Sequence, residues 1–147
     1  TFSPDGTQLY VGQTFRGWTR NSTDGVKRVT FTGETPFEVQ NISITKTGFK
    51  LTFTKPVDAT TLSQLSHYKT QSYWYKSHYH YGSPQQDVIA LKVTNASVSA
   101  DGRTVDLTIP GVEAKRIVQF DLGEGLVATD GSTIGNPTIC YTVRKLR

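Results

Sequence analysis

The sequence is poor in sulfur and has no long apolar run. It contains one cysteine and no methionine, so no disulfide can form within the chain. Cys140 lies in the strand-like run TICYTV, and no base lies near it in sequence. It is therefore predicted to be a small buried residue rather than a nucleophile. No apolar run approaches the roughly 18 residues of a membrane helix, so no membrane span is predicted.

Catalytic motifs are absent as well. The sequence has no G-x-S-x-G, no phosphate loop and no metalloprotease motif. A glycoside hydrolase needs two carboxylates across a cleft. The glutamates show no such pairing: Glu34, Glu38, Glu113 and Glu124. The net charge of +4 favours anionic partners or simply solubility, and no nucleic-acid motif accompanies it. We therefore predict a protein that is not an enzyme and binds no nucleic acid.

Turn signals are frequent along the chain. Asp-Gly occurs four times, at 5–6, 24–25, 101–102 and 130–131. This dipeptide favours hairpin turns because both central residues of a type I′ turn need a positive φ. Apolar and polar residues alternate over the short runs between these turns. The pattern predicts about nine strands, at 8–12, 26–32, 38–45, 48–54, 67–75, 88–98, 103–109, 116–122 and 139–145.

The alternation also predicts how the strands pack. In GFKLTFT, the side chains of Phe49, Leu51 and Phe53 point to one face, and polar residues point to the other. Strands with one apolar face are best buried by pairing two sheets. We therefore predict an all-β fold, an antiparallel Ig-like β-sandwich at 34–147 with a short N-terminal β extension and linker at 1–33. The one helical turn that we predict follows Asp58 as its N-cap.

Aromatic residues are concentrated in QSYWYKSHYHYGSP at 71–84, which holds four of the seven tyrosines. Placed in a strand, its tyrosines alternate with Trp74 and the charged residues. Two interpretations stay open: rings that pack structurally, or a platform on which sugar rings stack. The candidate ligand-binding residues are Tyr73, Trp74, Tyr75, Lys76, His78, Tyr79, His80 and Tyr81, with Trp18 as an outlying contact.

The same segment raises the possibility of a metal site. In a strand, His78 and His80 would share a face, and Asp87 follows seven residues later, but no closed set of ligands is readable. We predict no cofactor. A structural calcium ion stays open, because loop carboxylates are suitable ligands for it. The carboxylates considered are Asp101, Asp121 and Asp130.

Several stretches resemble known families. FSPDGTQLYVG at 2–12 resembles a β-propeller hairpin, and FKLTFTKPVDATTLSQLSHY at 49–68 resembles the start of a bacterial Ig-like sandwich. Taken end to end, the chain resembles the C-terminal region of secreted or periplasmic quinoprotein sugar dehydrogenase-like proteins. The stretches that carry this resemblance are LYVGQTFRGW, KRVTFTGETPFEVQNISIT, FKLTFTKPVD, YWYKSHYHYGSPQQD and SADGRTVDLTI. The resemblance implies an Ig-like accessory module beside the last propeller strands of a larger parent protein. The chain lacks C-x-x-C-H, so haem attachment does not carry over. It also holds only the last propeller strands, so quinone binding and dehydrogenation do not carry over either.

The sequence thus leads to one functional hypothesis and one alternative. The hypothesis is a secreted or periplasmic, non-catalytic carbohydrate-binding module. Its polysaccharide would be anionic, of the sulfated galactan type, because lysine and histidine accompany the aromatic residues. The alternative is a structural Ig-like domain that buttresses a β-propeller dehydrogenase or mediates protein contacts. In both cases neighbouring domains of the parent protein are partners.

Overall fold

The computed structural model describes residues 1–13, 25–79 and 81–147, and it divides into two compact units, Thr1–Thr35 and Pro36–Arg147. The first unit contains an antiparallel hairpin of β1 (Gln8–Gln13) and β2 (Gly25–Thr30). Leu9 lies opposite Val29, so the backbone of the predicted extension is paired within the chain. The side chains of Val11 and Phe31 are nevertheless exposed.

The second unit contains two antiparallel sheets of four strands each. In spatial order, sheet I consists of β10 (Thr138–Val143), β9 (Arg116–Leu122), β5 (Tyr68–Tyr75) and β6 (Gln85–Leu91). Sheet II consists of β3 (Val39–Ile44), β4 (Gly48–Phe53), β8 (Thr104–Thr108) and β7 (Asn95–Val98). With β6 as an additional strand, this order is that of immunoglobulin-type sandwiches. The predicted antiparallel sandwich is confirmed.

The core lies between the two sheets, where the predicted alternation places the apolar side chains. Phe49, Leu51 and Phe53 of β4 are fully buried, as are Val118 and Phe120 of β9. The rings of Phe49 and Phe120 meet edge to face, with their centroids 5.2 Å apart. This contact joins sheet II to sheet I.

The single strand predicted at 88–98 is wrong. The segment forms two strands, because β6 pairs with β5 in sheet I whereas β7 pairs with β8 in sheet II. The chain crosses between the sheets at residues 92–94, and the side chain of Val93 is buried there. Alternation continues through such a crossing, so the pattern cannot reveal that the hydrogen-bonding partner changes.

The short helix is present as predicted. Helix α1 (Ala59–Leu62) follows Asp58, whose carboxylate accepts hydrogen bonds from the backbone N–H groups of Thr60 and Thr61. A 3-10 turn at Leu65–His67 then leads into β5. The described helices are too short to cross a bilayer.

Cys140 departs from the prediction. Its side chain is exposed rather than buried, because Ile139 and Tyr141, its neighbours in β10, pack against the core. Successive side chains of a strand point to opposite faces, so Cys140 lies on the outer face of sheet I. The alternation in TICYTV puts Ile139, Tyr141 and Val143 on the inner face, and Cys140 on the outer face with two threonines.

The long connection between β9 and β10 is held by an ion pair. The ammonium of Lys55 lies 2.8 Å from Oδ2 of Asp130, and Ser132 donates its backbone N–H and its hydroxyl to Oδ1. Lys55 first, and Ser132 second, lower the pKa of the Asp130 carboxyl group. The ionised carboxylate therefore stabilises the folded state.

Replacing Asp130 with asparagine is expected to reduce stability at neutral pH and to leave stability in strong acid unchanged. A carboxylate with a lowered pKa stabilises the fold above the pKa of the unfolded chain. This contribution is lost as the pH falls through the folded value. Urea unfolding of the wild type and the variant across acidic pH measures the difference. Lys55→Met should remove part of the same pH dependence, and an equal loss of stability at every pH would contradict the assignment.

Candidate functional site

The aromatic segment lies where β5 ends. The strand stops at Tyr75, as predicted, and residues 76–84 form the connection to β6. The alternation expected for a strand therefore does not extend to Tyr79 and Tyr81, because these residues lie in the connection. Their side chains are largely or fully exposed, with Tyr79 at 92% of its maximum. Lys76 and His78 are also exposed.

Two of the predicted contacts, Trp18 and His80, lie outside the described residues. Tyr73 is described but only 3% exposed, so its ring is not available for stacking. Its hydroxyl donates to Oε1 of Gln119 at 3.3 Å, and burial raises the pKa of this hydroxyl. The ring of Tyr73 packs edge to face against that of Tyr75, with centroids 5.4 Å apart. Tyr73 thus supports Tyr75, which is 47% exposed.

Trp74 is fixed by its neighbours. Its indole Nε1 donates to Oδ2 of Asp87 at 2.6 Å. Asp87 has a φ of 46°, a value that is uncommon for residues other than glycine. The residue lies where the pairing of β5 with β6 is irregular. The guanidinium of Arg116 donates to the backbone oxygen of Asp87 and, through Nε, to Oγ of Ser72 at 2.7 Å. The half-buried indole is therefore held in one orientation before any ligand arrives.

A pocket of about 540 Å³ opens beside these rings. Its lining comprises Trp74, Tyr75, Lys115, Arg116, Ile117 and Thr142. The antiparallel pairing of β5 with β9 sets Tyr73 opposite Ile117, and this brings the start of β9 beside Tyr75. Sequence reasoning missed Lys115 and Arg116 as site residues, because about 40 positions separate them from the aromatic run and only strand pairing joins them.

The charges of the sandwich are divided between its two ends. Strands β3, β5, β8 and β10 run toward what we call the aromatic end, made of connections 45–47, 76–84 and 109–115 and residues 144–147. These segments hold six lysines and arginines and one carboxylate: Lys46, Lys76, Lys115, Arg144, Lys145, Arg147 and Glu113. The opposite end consists of residues 36–38 and connections 54–67, 99–103 and 123–137. These segments hold five carboxylates and two cations: Glu38, Asp58, Asp101, Glu124, Asp130, Lys55 and Arg103. The aromatic end is therefore basic.

The described residues do not assemble a metal site. Within them, no three histidine, cysteine, aspartate or glutamate side chains come together, and Asp87 binds the indole of Trp74. The three carboxylates considered for calcium lie apart and each accepts protein hydrogen bonds. Asp101 accepts from Ser99, Asp121 from Gln119 and Thr138, and Asp130 from Lys55 and Ser132.

Comparison with known proteins gives the fold. No family model matches the sequence, and no curated protein matches it either. The structure is similar to that of the S-layer protein rSbsC(31-844), with a TM-score of 0.56 and 23% identity. The similarity covers 77% of this chain and 14% of that one. The resemblance to quinoprotein sugar dehydrogenases stays a prediction.

Two further solved structures are similar. For domains 1–6 of surface layer protein SbsC, the TM-score is 0.53 at 24% identity, with 74% of this chain and 14% of that chain covered. For the N-terminal part of the bacterial S-layer protein SbsC, the TM-score is 0.51 at 23% identity, with 74% of this chain and 24% of that chain covered. This chain thus spans less than a quarter of each of these structures. The likeness shows a shared β-sandwich fold.

Proposed function

We propose that this chain is a non-catalytic module that binds an anionic polysaccharide at the aromatic end of its sandwich. One observation carries the proposal: exposed aromatic rings and an excess of basic side chains occur at the same end of the fold. Aromatic rings offer stacking surfaces to the C–H faces of sugars. Basic groups favour polymers that carry sulfate or carboxylate groups.

Tyr75 and Trp74 form the centre of the proposed binding surface. Tyr75 is half exposed and rests on the buried ring of Tyr73, while Trp74 is anchored to Asp87. A ring that is already fixed loses little conformational entropy when a ligand binds. The exposed Tyr79 in the adjoining connection extends the aromatic surface.

Cationic side chains border the same pocket. Lys115 is exposed at the rim, and Arg116 lines the wall while its guanidinium is held by Ser72 and Asp87. Lys76 and His78 follow Tyr75 directly along the chain. These groups supply charge-assisted hydrogen bonds to an acidic sugar, so we propose a sulfated galactan type of ligand over a neutral glucan. We therefore propose that the module acts in the periplasm or outside the cell.

Affinity electrophoresis tests this function. The protein is run through gels that contain carrageenan, porphyran, alginate, agarose or cellulose. We expect retardation in a sulfated galactan gel, and we expect Tyr75→Ala to weaken affinity by about tenfold, as loss of one stacked ring does elsewhere. Tyr10→Ala is the matched control, because Tyr10 is a partly exposed tyrosine of the hairpin. Equal mobility of the wild type in every gel would overturn the proposal.

A second function is supported by the small share of the matched S-layer structures that this chain covers. This chain corresponds to 14% of rSbsC(31-844), so a sandwich of this kind also occurs as one unit within a much longer protein. A structural Ig-like domain that contacts neighbouring domains, including a β-propeller dehydrogenase, is consistent with that arrangement. Such a domain would bind no glycan and would be stabilised by its attached neighbour, which thermal unfolding of the longer protein would detect.

A further inference from the structure

The pocket beside Trp74 does not end at β10. It shares Thr142 with a second pocket of about 360 Å³. That pocket shares Ile44 and Arg147 with a third one of about 340 Å³, which also contains Lys46. The three pockets therefore adjoin one another across the aromatic end, from sheet I to sheet II, and we call this row of pockets the groove.

The part of this groove beyond Thr142, which comprises the second and third pockets, is cationic. Lys46, Arg144 and Lys145 line it, and all three are exposed. Within the part of the chain that the structure describes, none of these three has a carboxylate within 4.0 Å. Neighbouring cations that lack an anionic partner repel one another, and a bound anion relieves this repulsion.

The groove is longer than one sugar. Two strand spacings of about 4.8 Å separate β5 from β10, and about 10 Å separates the two sheets, which gives a path of about 20 Å along the surface. Because Tyr75 lines the first pocket of this row and Lys46 the third, a single sugar ring cannot contact both. An oligosaccharide of several units can.

We propose that the groove holds an extended anionic oligosaccharide, stacked at Tyr75 and bound by its acidic groups to a second subsite at Lys46, Arg144 and Lys145. This inference rests on the proposed function and adds to it the length of the ligand and the position of its charges. The aromatic pocket recognises one sugar ring. The second subsite selects for an oligosaccharide that extends beyond this ring and carries anionic groups.

Calorimetric titration with two carrageenan oligomers, a disaccharide and an octasaccharide, tests the second subsite. The variant Lys46→Ala/Lys145→Ala should lose about tenfold in affinity for the octasaccharide and keep its affinity for the disaccharide, because only the longer ligand reaches these lysines. The matched control is Lys69→Ala/Lys92→Ala. It removes the same two charges from exposed positions that line a different pocket.

The outcomes separate the two proposals. If the octasaccharide binds the wild type and the Lys46/Lys145 variant equally, or if the control variant loses as much, the second subsite is wrong and the aromatic site remains. If the variant loses the disaccharide as strongly as the octasaccharide, the subsite is again wrong. If the wild type binds neither oligomer, the proposed function fails and the inference fails with it.

Discussion

Phe49→Ala is expected to lower the free energy of unfolding by about 3–5 kcal/mol, the usual cost of removing a fully buried phenylalanine. The Phe49 side chain has no exposed surface, and its ring lies 5.2 Å from those of both Phe120 and Tyr141. It comes from sheet II, whereas its two ring partners come from sheet I. The variant therefore opens a cavity and also removes the edge-to-face contacts that join the sheets.

Urea unfolding followed by circular dichroism measures this loss. Tyr79→Ala is the control, because that ring is 92% exposed and its removal should change stability by less than about 1 kcal/mol. A loss below about 1 kcal/mol for Phe49→Ala would mean that the contact between the sheets does not have the geometry described above.

Gly102→Ala should lower the free energy of unfolding by about 3 kcal/mol or more, because two separate penalties combine. Gly102 has a φ of 66°, which disfavours any residue with a Cβ atom. A Cβ at this position would also lie 2.4 Å from the backbone oxygen of Val57. Val57 is buried and donates its N–H to the oxygen of Gly102 at 2.9 Å, so neither backbone can move away freely.

Gly131→Ala separates the two penalties. Gly131 has a similar φ of 83°, but a Cβ there would meet no atom within 4 Å. It also follows an aspartate, as Gly102 does. Its replacement should cost about 1–2 kcal/mol, the price of the backbone conformation alone. Equal losses for the two variants, measured by the same urea titration, would show that the approach to Val57 contributes nothing.

Much of the sandwich was predictable because local signals agree with the fold. Asp101-Gly102 turns the chain between β7 and β8, and the alternation in β4 and β8 identifies their buried faces. The crossing between sheets at residues 92–94 was not predictable. Which strand β6 or β7 bonds to depends on residues far along the chain, and a local pattern contains no information about them.

The candidate site was predictable in composition and not in arrangement. The sequence indicated that aromatic and basic residues gather at 71–84, and Tyr75 and Tyr79 are exposed there. It placed Tyr73 on the same accessible face, although this ring is buried beneath that of Tyr75. It also left out Arg116, since only the pairing of β5 with β9 brings this residue beside the pocket.

The alternation of strand pairs between the two sheets has a consequence for the speed of folding. β3 and β4 begin sheet II, yet β4 meets its second partner β8 only when Gly48 pairs with Thr108, about 60 residues later. The central strand β5 likewise waits for β9, with Tyr68 opposite Leu122. Such distant pairings require large loops to close, and the entropy lost on closure is offset only when the strands make contact. The sandwich should therefore fold in milliseconds to seconds. A chain that stops after β6 would hold the β3–β4 and β5–β6 hairpins without β8 and β9, the central strands that each hairpin pairs with.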